Sequence, residues 1–498
     1  MTSSLNIPPH VGSCLKRALS LHDRGDPAGA LEAIAAGAVA DIQQHQQGFL
    51  GDVRACVMLG EFAGEMLRGA GLGTLCEAGQ NTCGNTTGRR NTQSDAASAI
   101  SVLYVVPNLA QGQAASANLL RLVDSHLRSN TERGSDSQRP SLDVRVIVCE
   151  EFTARTPPLA FLQYPQAASE DVGTALLAKL RTLVPVHVLS TCGSFLDAAR
   201  EGISIARDFK PDVALFMGNL SCPIQTALAF TRIAPAQACI NLGVPLVVRG
   251  VDAIIYNNPS KQQRDTAFLE RAGIRVLGVE TSGGDAAAGA LTQPLPRREL
   301  GVPEDAVVAV SVSNRLTHRM LAGHFAKHLG AYLRDHATVW WIGVGPGESE
   351  PVLDVIRNSG GEDAARRCVF VGAHGDVRRV VKACDVFLNE YPEGGGNSVI
   401  EAMGCGVPVV AMRAGERHAE CIGAELVGED AIVSHDANAY WALVHEWTSN
   451  LDSARQAGLR QQRRAMERLD YSVICKAYEE CVRVICSRLP LESITRIG

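Results

Sequence analysis

Phe387-Leu-Asn-Glu-Tyr-Pro-Glu393-Gly-Gly-Gly-Asn397-Ser-Val-Ile-Glu401-Ala-Met-Gly-Cys-Gly406-Val-Pro408-Val-Val-Ala411 is the stretch on which the reading of this chain turns. Asp385-Val-Phe-Leu is a short apolar run that predicts a strand. Gly394, Gly395 and Gly396 lack a Cβ, so the backbone can take positive φ and come close to a ligand. Asn397 is a suitable N-cap for a helix over residues 398–403, which Gly404 and Gly406 stop. Residues 407–411 are rich in β-branched side chains and predict a buried parallel strand.

Strand, glycine loop and helix together leave free N–H groups at a helix N-terminus, which is a site for an anion such as a diphosphate. Glu401 lies four residues after Asn397 and shares its helix face. A carboxylate there can accept hydrogen bonds from a vicinal diol such as a ribose. Glu393, just before the glycines, can reach other hydroxyls. A ligand carrying phosphates and sugar hydroxyls together, as a nucleotide-sugar does, fits this pattern.

The Glu393-x7-Glu401 spacing, followed by Ala-Met-Gly-Cys-Gly-Val-Pro-Val-Val-Ala, resembles the donor-site motif of GT-B glycosyltransferases of the retaining type. Phe-Leu-Asn-x-Tyr-Pro and Gly415-Glu-Arg-His418-Ala-Glu420 are similar to the O-GlcNAc transferase superfamily, which includes bacterial Asn-linked glucosyltransferases. The resemblance implies an α/β fold of two Rossmann-like domains facing a cleft, here preceded by a small helical region. It implies donor contacts from Glu393, Gly394, Gly395, Gly396, Asn397, Ser398 and Glu401.

Such families place an Arg and, five residues on, a Lys against the donor phosphates. Arg315 fits the first position; the second is Met320, so Arg319 or His318 is expected to substitute. His374, after the run Val369-Phe-Val-Gly-Ala, is the implied neighbour of the base, with a histidine satisfied by backbone as the other reading. On the acceptor side the resemblance points to the loop with Gly112 and Gln113 and to Arg232-Ile-Ala-Pro-Ala-Gln237. The catalytic group stays open among Glu393, Arg319 and His318. Stereochemistry stays open too, since one motif leans to retention and the other to inversion.

The expected domains follow from the text of the chain. Residues 1–72 carry helical periodicity, and Gly25-Asp-Pro27 breaks it; the passage is either one tetratricopeptide-like pair or a helical cap. Residues 73–98 turn to Gly, Asn, Thr, Gln and Ser and predict a flexible linker. Strand and helix then alternate over 99–280, as in a parallel sheet, for an acceptor domain. A small-residue linker covers 281–298 and a donor domain 299–437. Helices over 438–498 are expected to return toward the first domain.

A net charge of −6 on 498 residues argues against nucleic acid as a partner. No apolar run reaches transmembrane length, with peripheral membrane association left open. Fifteen scattered cysteines without Cys-x-x-Cys suggest reduced thiols in a cytoplasm. There is no Asp-x-Asp, so a metal-independent transfer is expected, with no cofactor beyond the nucleotide-sugar co-substrate, most plainly a UDP-sugar. The acceptor is a protein or a saccharide. A nucleotide-sugar 2-epimerase and a non-catalytic interaction protein are the other readings.

Overall fold

The computed structural model describes residues 7–44, 52–72, 99–109, 114–132, 141–151, 170–190, 194–281, 283–413, 422–432 and 434–487. The expected linker over 73–98, Gly112 and Gln113, and the segment from Gly415 to Glu420 lie outside the described residues. The chain divides into two compact units. One runs to Val279 and takes in the chain from Cys475; the other is Glu280–Ile474.

The first unit is built on seven parallel strands: β1 (Ile100–Val106), β2 (Leu142–Val148), β3 (Val186–Val188), β4 (Val213–Phe216), β5 (Ala236–Asn241), β6 (Ala253–Tyr256) and β7 (Arg275–Gly278). Their spatial order is β3-β2-β1-β4-β5-β6-β7. The strand direction of growth reverses between β1 and β4, as in doubly wound sheets. Every residue of β4 and β5 is buried, because helices cover both faces of a parallel sheet. The sequence reading did not foresee β5. Ala-Gln-Ala-Cys-Ile-Asn has one β-branched residue, and its place in the middle of the sheet overrides that weak propensity.

The helices α1 (Pro9–Asp23), α2 (Pro27–Gln44) and α3 (Val53–Gly69) belong to this unit. Val11, Leu31, Ile34, Leu59 and Met66 share one core with Phe230, Leu246 and Ile254. Gly60 is the point of closest approach. A Cβ there would run into the Val247 carbonyl, and one on Gly64 would lie 3.3 Å from the Phe230 ring. The obstacle at Gly60 is backbone, which cannot swing aside. Gly60→Ala should therefore destabilise the protein by about 2 kcal/mol. Denaturant unfolding checks this; an unchanged midpoint would contradict the packing described.

The second unit carries five parallel strands: β8 (Val307–Val312), β9 (Val339–Val344), β10 (Cys368–Gly372), β11 (Val386–Leu388) and β12 (Val409–Val410). Their order is β10-β9-β8-β11-β12. Alternate residues face opposite cores: Val308, Val310 and Val312 lie in one, Ala309 in the other. Here the reversal falls between β8 and β11. Ligands of open α/β sheets bind outside the carboxyl ends of the strands at such a point.

The trailing helices do not act as one block. Ala437–Ser449 and Leu451–Arg464 stay in the second unit, where Tyr440, Trp447 and Ala457 pack in a core with Phe325 and Trp341. The helix Tyr471–Ser487 contributes to the first unit from Cys475 onward. There Arg275 donates to the Val484 and Ile485 carbonyls at 3.4 and 3.2 Å. No described helix is long and apolar enough to cross a membrane.

Candidate functional site

The glycine loop leaves the carboxyl end of β11, and the segment with Arg315 and Arg319 leaves the carboxyl end of β8. These are the two neighbouring strands at the reversal, so the topology brings the two motifs together. The helix after the loop is Asn397–Gly404, and its N-cap is Gly396, not Asn397. Asn397 is already the first helical residue. The stop is as expected: Gly406 takes φ +75° and donates to the Met403 carbonyl at 2.9 Å.

The three glycines serve by lacking a side chain, not by positive φ, which none of them adopts. A Cβ on Gly394 would sit 2.5 Å from the Asn389 amide. One on Gly395 would press on Ser398 Oγ and lie 3.2 Å from Arg319 Nη1. The loop is thus packed from one side by Asn389 and approached by a guanidinium and a hydroxyl.

Arg319 sits on the helix Leu316–Leu321, whose N-cap is Arg315. Met320 is fully buried in the core, so the helix turns Arg319, not residue 320, toward the loop. His318 pairs with Glu393, Nε2 to Oε2, at 3.2 Å. Two of the three candidate catalytic residues therefore touch each other, and the third borders the same loop. Gly345, at φ +147° in the turn after β9, packs on the Ser313 carbonyl and helps fix the start of this helix.

Glu401 is half-buried on the helix Asn397–Gly404. It lies in the field of Arg378, whose guanidinium bonds Asp285 at 2.7 Å and Asp376 at 3.5 Å. Burial pulls the Arg378 pKa down, and Asp285, Asp376 and Glu401 together more than reverse that. His374 is engaged by its own turn: its Nδ1 lies 2.9 Å from the Asp376 carbonyl and 3.2 Å from the Asp376 nitrogen.

The side chains of Arg232 and Gln237, the acceptor-side pair, are held by Asp252 and by backbone carbonyls. Arg232 forms an ion pair with Asp252 at 3.0 Å and donates to the carbonyls of Gly250 and Pro235. Gln237 lies in β5, fully buried, and its Nε2 donates to Ala229 and Gly250 carbonyls at 2.7 and 2.8 Å. Both side chains hold the turn into β5 in place, because buried carbonyls there need donors.

Sequence reasoning passed over Glu390. It is buried, and neither carboxylate oxygen has a hydrogen-bond partner among the described residues. Asn389 is buried with both amide atoms unpaired in the same sense. Next to them Tyr391 is fully engaged, its hydroxyl meeting His328 Nδ1 at 2.6 Å and accepting from Trp441 Nε1 at 2.7 Å. The contrast marks 389–390 as polar groups left for something else.

Two parallel α/β units with a glycine loop at the strand reversal of the second define the GT-B glycosyltransferase architecture, and the chain has this fold. Residues 307–450 match the family model described as Glycosyl transferases group 1. Among solved structures the chain is similar to Anabaena HepE in complex with UDP-glucose, with 17% identity over 77% of this chain and 99% of that one and a TM-score of 0.54. It is similar to an O-GlcNAc transferase mutant from Thermobaculum terrenum, with 14% identity over 98% and 99% of the two chains and a TM-score of 0.53. Sucrose-phosphate synthase from Thermosynechococcus elongatus is a third, at 15% identity, 78% and 100% coverage and a TM-score of 0.52. No curated protein matches the chain in sequence.

Proposed function

We propose that the protein is a glycosyltransferase that moves a hexosyl or N-acetylhexosaminyl group from a UDP-sugar to a protein or saccharide acceptor. The observation that carries this reading is the meeting of Arg319 with the glycine loop inside the matched segment. The structures similar to this chain include one holding UDP-glucose and one named an O-GlcNAc transferase, which supports a UDP-sugar donor.

In this reading the diphosphate lies on the N–H groups at the start of the helix Asn397–Gly404, with Arg319 and Ser398 beside it. Breaking the anomeric bond builds negative charge on the leaving diphosphate. Donors fixed in advance stabilise that charge without reorganising. Glu401 takes the ribose, and Glu393, oriented by His318, takes hydroxyls of the transferred sugar. We assign the reaction to a metal-independent mechanism in the cytoplasm; the cysteines among the described residues are free thiols, which agrees with a reducing compartment.

UDP release from a panel of UDP-sugars, with and without peptide and saccharide acceptors, tests the function. Acceptor-dependent release from one donor is expected. A change of sugar configuration without acceptor would favour a 2-epimerase, and no turnover with any donor would contradict an enzyme. The same assay with EDTA should keep its rate, and loss of rate restored by magnesium or manganese would contradict the metal-independent assignment.

A further inference from the structure

Glu390 has no part in the donor contacts above, yet its surroundings are unusual. It is 1% exposed, and both oxygens are buried without a hydrogen-bond partner among the described residues. The Arg319 guanidinium is the charged group that acts on it. Arg319 Nε is itself buried with no partner, while Nη1 lies toward Gly395. Arg319 is thus the cation acting on Glu390, with no hydrogen bond between them, and its guanidinium also faces the loop where an anion would sit.

Among the described residues, the charged and titratable side chains on the surrounding elements include Arg315 and His318 around the helix Leu316–Leu321, Glu393 in the loop, His324, Lys327 and His328 beyond Gly323, Tyr440, whose hydroxyl donates to the Asn389 carbonyl, and Glu425 on the helix Gly423–Val427 packed on Asn389. Gly323 packs on Pro392. His318 is engaged with Glu393, and His328 with Tyr391. Burial pushes the Glu390 carboxyl up to about 7, even with Arg319 and its own backbone N–H pulling it down.

We propose that Glu390 is a proton-exchanging counter-charge for Arg319, so that binding a nucleoside-diphosphate sugar at the glycine loop takes up one proton. The inference rests on the donor-site reading above. With the loop empty, ionised Glu390 balances Arg319. An arriving diphosphate brings negative charge to the same guanidinium. Two anions then share one cation, and the buried carboxylate, which no other residue hydrogen-bonds among the described residues, takes a proton from solvent. No other bond forms or breaks. Glu390 is thus a positioning residue: it acts through Arg319 and sets how much positive charge the loop offers.

Linkage fixes the sign. Above the free-state value the proton must be drawn from an ever more alkaline solvent, so donor affinity falls as pH rises, by up to about tenfold per pH unit. The probes are UDP-glucose and UDP-N-acetylglucosamine, whose esterified diphosphates carry no ionisation near neutrality. Each is titrated calorimetrically at about pH 8 in Tris and in HEPES, and the difference in heat gives the protons taken up. Uptake approaching one proton is expected for the wild type. In Glu390→Gln binding should persist with buffer-independent heat and a flat pH profile. Buffer-independent heat in the wild type, or uptake that survives Glu390→Gln, would overturn the inference and leave the donor reading standing. Failure of both probes to bind would overturn the donor reading and this inference with it. Should Glu390→Gln not fold, the wild type still decides: a carboxylic-acid carbonyl band must appear in the infrared difference spectrum on adding the bound probe, and its absence counts against the proposal.

Discussion

Arg319→Ala should weaken UDP and UDP-sugar binding together by about a hundredfold. Its guanidinium borders Gly395, where the proposed function puts the leaving diphosphate. Charge-assisted hydrogen bonds contribute roughly 1.5–3 kcal/mol each, and about 2.8 kcal/mol corresponds to a hundredfold. The loss should be equal for UDP and UDP-sugar, because both carry the diphosphate. Arg319→Lys should fall between, since an ammonium keeps the charge and loses the planar fork. Circular dichroism must accompany the titration, because removing Arg319 also leaves Glu390 without its counter-charge. Binding within a few-fold of wild type in folded Arg319→Ala would remove Arg319 from the site.

The second large effect lies in the first unit. Tyr104 in β1, His126 on the helix Ala114–Glu132 and Glu479 on the helix Tyr471–Ser487 form a buried chain. The Tyr104 hydroxyl meets His126 Nε2 at 2.7 Å, and His126 Nδ1 meets Glu479 Oε1 at 3.2 Å. Arg483 lies 3.7 Å from the other Glu479 oxygen. His126→Ala takes the partner from the Tyr104 phenol and one hydrogen bond from the buried Glu479 carboxylate, and should cost about 3 kcal/mol, measured by denaturant unfolding. Burial pushes the Glu479 carboxyl up, but His126, Ser129 and Arg483 outweigh it and hold the pKa below its ordinary value. A depressed carboxylate contributes stability that is fully present above the unfolded value and is lost as pH falls through the folded one. Wild type should therefore lose stability on acidification through the lower carboxylate range, and His126→Ala should lose less. A substitution that leaves the midpoint unchanged would contradict this account of how the last helix is held.

Much of the fold was legible because buried parallel strands write themselves as apolar runs. Ile100–Val106 and Val307–Val312 stand in the sequence as strands, and they are β1 and β8. β5 was not legible, since Ala-Gln-Ala-Cys-Ile-Asn becomes a strand only by its place between β4 and β6. The donor loop was legible as a motif but not in its mechanics. Its glycines are required by the side chains of Asn389, Ser398 and Arg319, and no spacing rule shows such contacts. Arg232 and Gln237 were named from resemblance, and the sequence alone did not show that their side chains donate to carbonyls of the fold. Glu390 carried one signal that was passed over. In an extended chain it follows Leu388 by two, on the same side as a fully buried residue, so an ionisable group there is exceptional.

The central claim, that the loop and the helix Asn397–Gly404 receive a nucleotide, is tested most directly at Glu401. Calorimetric titration of UDP into wild type and into folded Glu401→Ala compares one carboxylate and nothing else. If Glu401 accepts hydrogen bonds from the ribose, losing it should weaken UDP by about tenfold or more. The UDP-sugar should weaken by the same factor, since the ribose belongs to both. UDP binding that is unchanged in Glu401→Ala would contradict the placement of the nucleotide on this helix.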